Sequence, residues 1–204
     1  MKQHILAWKK ESRRWKGGRY SLELLGSCNK GRLLDAGCGS GKYAIPLQMR
    51  GFDVVGVDVS LDTLRIAGER CAGRKMDIPL HAANVYQLPF QDGSFDVVWC
   101  YGVLQHLLLN ERELAISEFW RILRKSGMLF LEVFGEEDMR FGGREVETNT
   151  FSRENGIVYH YFNKNELEEL LRDFSCSIVE SRRKKRFDGV YYKRHMISAV
   201  AKKE

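Results

Sequence analysis

One stretch constrains this chain more than any other: the apolar run Leu33-Leu34-Asp35-Ala36 that ends in Gly37-Cys38-Gly39-Ser40-Gly41. Arg32 to Ala36 reads as a short buried strand, and Lys42 to Arg50 reads as a helix stopped at Gly51. A strand that turns through glycines directly into a helix brings backbone N–H groups against a bound nucleotide-like ligand. Asp53 to Val57 supplies a second strand, and Ser60 caps a helix from Leu61 to about Cys71. The alternation continues with a weak strand at Leu80–Ala83, a strong one at Phe95–Tyr101, a helix over Asn110–Leu123 and an apolar strand at Gly127–Phe134. Such nearly continuous apolar strands belong to a sheet with helices on both faces, so the chain reads as a doubly wound α/β domain. Residues 135–160 break the rhythm as a polar, irregular insertion containing Gly142-Gly143. After it, Asn163 caps a helix over Lys164–Phe174, and strands follow near Cys176–Ser181 and Met196–Ala201.

The glycine spacing narrows the ligand. Dinucleotide sites use G-x-G-x-x-G, in which Gly37 and Gly39 fit but Lys42 occupies the third position; the third glycine is Gly41. That mismatch disfavours a nicotinamide cofactor. Asp58 ends the second strand on the same side as the loop, where a carboxylate can accept from both hydroxyls of a ribose. The competing role for Asp58 is a helix-start acid, which Ser60 and Asp62 already supply.

Three motifs in order, Leu33–Tyr43, Gly56-Val-Asp-Val-Ser60 and Leu88–Val98, resemble those of class I S-adenosylmethionine-dependent methyltransferases. The similarity is greatest to the ubiquinone/menaquinone-biosynthesis-like (methyltransferase type 11) group and spans residues 31–134. It implies a Rossmann-like, mostly parallel seven-stranded sheet with an antiparallel last strand. Residues 1–30 would form an N-terminal helical cap and 31–204 the cofactor-binding domain. It also implies S-adenosylmethionine as cofactor, held by Asp35, Gly37, Gly39, Gly41, Asp58 and Val59. Asn84 and Val85 would meet the adenine edge, and backbone groups of Tyr101 and Gly102 the cofactor's ammonium. Where the family usually has Asp, this chain has Asn84, which keeps an acceptor for the adenine amino group but loses a charge-assisted bond. Asn84 is alternatively a turn residue.

Methyl transfer is an in-line displacement whose leaving group belongs to the cofactor, so no catalytic triad is required. Two histidines are candidates for moving a proton. His106 is either a helix-start residue bonding local backbone or a proton acceptor beside the substrate; His160 lies in Tyr159-His-Tyr-Phe162 at the end of the insertion. An insertion after the fifth parallel strand falls beyond the carboxyl ends of the strands, so 135–162 reads as a lid or acceptor-binding segment carrying Phe141, Tyr159, His160 and Tyr161. The bland alternative is that these aromatics pack the next helix onto the sheet.

Charge bears on the acceptor. The net charge of +6 is concentrated at the ends: residues 1–19 hold seven basic residues against Glu11, and 182–203 hold nine against Asp188. The segment between them has 17 basic and 24 acidic residues. The ends are either solvated surface or two positive patches flanking one opening, with Trp8, Trp15, Tyr191 and Tyr192 available to stack on bases. If the strand near 176–181 is parallel, the turn after it, containing Arg183 to Arg186, emerges on the crevice side. A small-metabolite acceptor stands ahead of tRNA. The latter is supported by the likeness of Tyr159–Phe162 and Asn165–Leu171 to enzymes that esterify a wobble-uridine carboxymethyl group. A non-catalytic S-adenosylmethionine-binding regulatory protein is the third reading. Five scattered cysteines without a Cys-x-x-Cys pair argue against a zinc site and for a reducing, cytoplasmic setting, and no stretch reaches the ~20 apolar residues of a membrane span. The sequence leaves the oligomeric state open.

Overall fold

A computed structural model describes residues 3–11 and 21–204. Seven strands form the main sheet: β1 (Arg32–Ala36), β2 (Asp53–Asp58), β3 (Leu80–Ala82), β4 (Phe95–Tyr101), β5 (Leu123–Phe134), β9 (Phe174–Phe187) and β10 (Val190–Lys203). Three short strands, β6 (Arg144–Glu147), β7 (Thr150–Ser152) and β8 (Val158–His160), form a separate antiparallel sheet between β5 and β9. The main sheet runs β3-β2-β1-β4-β5-β10-β9. β1, β2, β3, β4 and β5 pair in parallel, and β10 pairs antiparallel with both neighbours. The expected architecture is therefore present, including the antiparallel last strand.

Period-two alternation along the strands feeds two cores. One face sends Leu34, Val55, Val57, Val98, Leu129 and Leu131 against α4 (Leu109–Ile122) and α5 (Lys164–Leu170). The other sends Leu33, Val54, Val97, Trp99 and Phe130 against Ala44 and Leu47 of α2 (Ala44–Met49) and Cys71 of α3 (Leu61–Ala72). Ser60 and Asn163 cap α3 and α5 as expected, accepting from the backbone N–H of Thr63 at 3.4 Å and of Glu166 at 2.9 Å. Strand order reverses between β1 and β4, and at such a point a crevice opens outside the carboxyl ends of the strands.

Three segments differ from expectation. The insertion is not irregular: residues 144–160 make the small sheet, and Phe134, Phe151 and Tyr161 give it an aromatic core. α5 stops at Leu170, four residues early. Arg183 to Arg186 lie not in a turn but inside β9. That strand continues to Phe187 and pairs with β10 up to a two-residue turn at Asp188-Gly189 (φ 46° and 84°), the left-handed pair that matches strand twist. β5 pairs with β10 only as far as Met196↔Phe134, so residues 182–195 form a two-stranded ribbon past the end of the main sheet. At the amino terminus, α1 (Gln3–Glu11) packs on the domain: Ile5 is buried in the first core, and His4 Nε2 meets Glu111 Oε2 of α4 at 2.8 Å. Trp15 and most of the basic amino-terminal run lie outside the described residues. Among the described residues no helix is long and apolar enough to cross a membrane.

Candidate functional site

β1 ends by driving the chain into the glycine loop, where Gly37, Gly39 and Gly41 all have positive φ (80°, 52° and 79°). Gly37 and Cys38 both donate to the Val57 carbonyl of β2, at 2.8 and 2.9 Å, which ties the loop to the neighbouring strand. A Cβ on Gly37 would stand 2.3 Å from Val103 Cγ2, so the floor of the loop is closed against the segment after β4. A Cβ on Gly39 would meet nothing within 4 Å, so the loop is open toward the crevice there. Gly41 lets α2 begin close to Ala67 of α3.

Asp58 joins these parts. Its Oδ2 accepts from Gly39 N at 2.9 Å, and its Oδ1 accepts from Ser60 N at 2.9 Å and Thr63 Oγ1 at 3.3 Å. The carboxylate serves the start of α3 and also lines the crevice. Burial nevertheless raises its pKa against those hydrogen bonds. Asp35 sits behind it, buried, with Oδ2 unpartnered; burial first, and the Asp58 charge second, lift its carboxyl to about 8. Asp35 supports the loop from below and is not part of the crevice wall, whereas Val59 is.

Asn84 is a turn residue whose side chain also faces the crevice. Its carbonyl accepts from Gln87 N at 3.0 Å in a tight turn, while its side chain reaches the crevice wall with Oδ1 buried and unpartnered. Val85 follows it on that wall. Tyr101 stacks on Trp99 (4.6 Å between rings, 3° apart) and donates to Glu132 Oε2 at 3.0 Å. Gly102, at φ 72°, spends its N–H on the Glu132 carbonyl, which leaves carbonyl oxygens as what this segment can offer an ammonium.

The two histidines separate. His106 lines the crevice; its Nδ1 lies 3.0 Å from the Val158 carbonyl, and its ring stacks on Trp8 at 4.4 Å and meets Tyr159 edge-on. A carbonyl only accepts, so Nδ1 carries the proton and Nε2 the lone pair. Burial lowers the His106 pKa to about 4. His160 is in neither the crevice nor its mouth. It is buried between Thr150 Oγ1 (2.8 Å from Nδ1) and Glu166 Oε1 (2.7 Å from Nε2), with Arg112 on the far side of Glu166 at 3.6 Å. It fastens β8 to β7 and α5, so the expectation of a proton-moving role is corrected. Tyr161 is likewise fully buried, donating to the Arg140 carbonyl at 2.5 Å. Phe141 and Tyr159 line a separate shallow depression with Arg140 and Arg153, and of residues 135–162 only Arg140 reaches the main crevice. Within the insertion, Phe141, Phe151 and Tyr161 pack against one another.

Glu132 was missed. It points into the crevice from the end of β5, accepting from Tyr101 and, at 3.3 Å, from Ser198 Oγ. Burial raises its pKa, opposed by those hydrogen bonds and by Arg183 and Arg194. The signal was a single acid inside Phe130-Leu-Glu-Val-Phe134, a charge that an apolar strand carries only where it meets solvent or a ligand. Lys42, Arg183, Lys184, Lys185 and Arg194 complete that end of the crevice. Its volume of 1450 Å³ exceeds the ~300–1,000 Å³ of a site for one drug-sized ligand, leaving room for a cofactor and an acceptor together. Among the described residues no cluster of His, Cys, Asp and Glu could hold a metal ion.

A glycine loop after β1, beside the reversal of strand order, and an acid at the end of the adjacent β2 define an α/β domain of the kind that binds a nucleoside-bearing cofactor. Residues 34–131 match the family profile described as Methyltransferase domain. A protein of Encephalitozoon cuniculi, provisionally named a methyltransferase, is 32% identical over 160 residues, covering 72% of this chain and 71% of its own. Demethylmenaquinone methyltransferase of Renibacterium salmoninarum is 34% identical over 124 residues, 61% of this chain and 49% of its own, so here the match spans about half of the relative. The crystal structure of a SAM-dependent methyltransferase of Methanosarcina mazei superposes with a TM-score of 0.73 at 24% identity, covering 90% of this chain and 97% of that one. The chain belongs to the class I S-adenosylmethionine-dependent methyltransferases.

Proposed function

We propose that the protein transfers a methyl group from S-adenosylmethionine to a nucleophilic acceptor that approaches between β4 and β10. The observation that carries this reading is the Gly39–Asp58 contact. It fixes an open glycine loop and a carboxylate on one crevice wall, with the orphaned Asn84 Oδ1 further along it. Asp58 and Val59 would hold the ribose, and Asn84 and Val85 the adenine edge. The Gly37–Gly41 loop, underpinned by Asp35, would lie under the methionine portion, with carbonyls of Tyr101 and Gly102 toward its ammonium. The cofactor supplies an electrophilic methyl on a good leaving group. The protein's own task is to align the acceptor and exclude water. Tyr43, Tyr101 and Glu132 form the floor for that task, and Trp8 with His106 closes one side. His106 is neutral at pH 7 with its Nε2 lone pair available, so it can take a proton from an amine or hydroxyl acceptor. Five unpaired cysteines favour a reducing, cytoplasmic setting.

The test uses calorimetry with S-adenosylhomocysteine and incubation of labelled S-adenosylmethionine with cell extract. Asp58→Ala is expected to weaken binding by about 2 kcal/mol or more, since a charged acceptor is lost from the site. Label is expected in the small-molecule or the RNA fraction. Tight binding with no labelled product would make the protein a cofactor-binding regulatory subunit and overturn the transferase reading.

A further inference from the structure

The ribbon formed by residues 182–195 has a charge pattern that packing does not explain. In an antiparallel ladder, opposed residues share a face and successive residues alternate. One face therefore carries Arg183 opposite Arg194 and Lys185 opposite Tyr192; the other carries Lys184 opposite Lys193 and Arg186 opposite Tyr191. Two of these pairs set like charges directly across from each other, which destabilises a hairpin. Part of the charge is neutralised at the ribbon's base, where Arg182 and Lys193 pair with Glu137 and Arg194 with Asp138. Further out, among the described residues, no carboxylate stands within ion-pair distance of Arg183, Lys184 or Arg186. The basic row does not end in solvent: Arg183, Lys184 and Lys185 also line the crevice.

We propose that this ribbon is a docking arm for single-stranded RNA, gripping successive phosphates and leading one nucleotide into the crevice. Three observations select this ligand. The basic run from Arg182 to Arg186 covers four steps of ~3.4 Å, roughly 14 Å, a line of cations suited to successive phosphates of a chain rather than a cup around one. Tyr191, 66% exposed, carries the Arg186 guanidinium 5.7 Å from its ring centroid, a cation–aromatic pair at the ribbon tip of the kind that holds unstacked bases beside their phosphates. The basic row runs into the crevice, and a base that is to react inside a pocket must first leave its stack, which a single-stranded loop does at least cost. The naming of RNA as acceptor rests on the methyl-transfer reading; the docking of RNA on the ribbon does not.

The experiment is fluorescence anisotropy with a fluorescein-labelled RNA stem-loop over a range of salt concentrations. A blunt RNA duplex of equal length and inorganic tripolyphosphate serve as competitors. The protein is compared with its Arg183→Gln/Lys184→Gln/Arg186→Gln variant, whose folding is checked by thermal denaturation. Three lost phosphate contacts on a single strand should make the slope of log affinity against log salt shallower by about 2. The stem-loop should outcompete the duplex, and tripolyphosphate at matched phosphate concentration should compete poorly. An unchanged slope, equal binding of the duplex, or displacement by tripolyphosphate would each overturn the proposal, the last by showing a site for a small phosphorylated compound. Calorimetry with S-adenosylhomocysteine on both proteins separates the two readings. Loss of RNA binding with intact cofactor binding supports the arm, and absence of cofactor binding in the unaltered protein refutes the transferase reading alone.

Discussion

Substituting Gly37 by alanine isolates what the loop floor contributes. Gly37 sits at φ 80°, where an L residue is strained by roughly 1–2 kcal/mol. Its new Cβ would also lie 2.3 Å from Val103 Cγ2, with Val103 Cβ and Cγ1 both at 3.4 Å. A contact at 2.3 Å is far inside carbon–carbon separation, so Val103 must leave its rotamer at about 1 kcal/mol or more, or the chain beside Gly102 must move. The total is on the order of 2–4 kcal/mol, which for a domain of this size lowers Tm by roughly 4–15 °C. Gly39→Ala is the internal control. It carries backbone strain at φ 52° but meets nothing within 4 Å, so it should lose less stability while weakening S-adenosylhomocysteine, because its methyl projects into the crevice. The double variant Gly37→Ala/Val103→Ala should regain the clash component and retain the strain component. Differential scanning calorimetry of the four proteins reads these out. If Val103→Ala rescues nothing, or Gly37→Ala melts with the parent, the closed-floor argument is wrong.

Two further outcomes follow from buried ionisable groups. Asp35 has its folded pKa raised from 3.8 to about 8, so the folded state binds the proton more tightly, and stability falls as pH rises from about 4 to about 8. Asp35→Asn removes that slope: its advantage in unfolding free energy should be small near pH 4, grow to a ceiling on the order of 5 kcal/mol and level off above pH 8, and a pH-independent gap in thermal melts would refute the assignment. His160→Ala should cost about 2–3 kcal/mol by stranding Thr150, Glu166 and Arg112, and leave S-adenosylhomocysteine affinity unchanged by calorimetry; a selective loss of affinity at full stability would return His160 to the site.

What could be read from the chain follows from how local each cause is. β1, β2 and β4 were legible because apolar runs bounded by glycines and an acid state their own boundaries, and β4 falls on Phe95–Tyr101 as expected. The Asp58 and Asn84 positions were legible for the same reason, as they close strands or turns near in sequence. The small sheet of the insertion was not, since its strands have three or four residues and gain stability from a shared cluster around Tyr161. His160 looked exposed to chemistry because its partners Thr150 and Glu166 come from other elements. The ribbon was hidden by composition: Arg and Lys are weak strand formers, and the register is dictated by the Asp188-Gly189 turn, a hairpin signal present in the sequence but outweighed by the charge run around it.

β9 is also the boundary of the sheet. One side of the sheet ends in β3, only 3 residues long, and the other in β9, 14 residues long. A long unpaired edge offers its N–H and C=O groups to any other extended chain, and natural sheets guard such edges with lysine and arginine. Arg182 to Arg186 occupy the outer part of that edge, where mutual repulsion keeps a second molecule from adding a strand. Solubility and the proposed RNA docking therefore depend on the same side chains. An anion that saturates the ribbon removes its guard, so excess polyanion is the condition under which copies of this protein would begin to pair edge to edge.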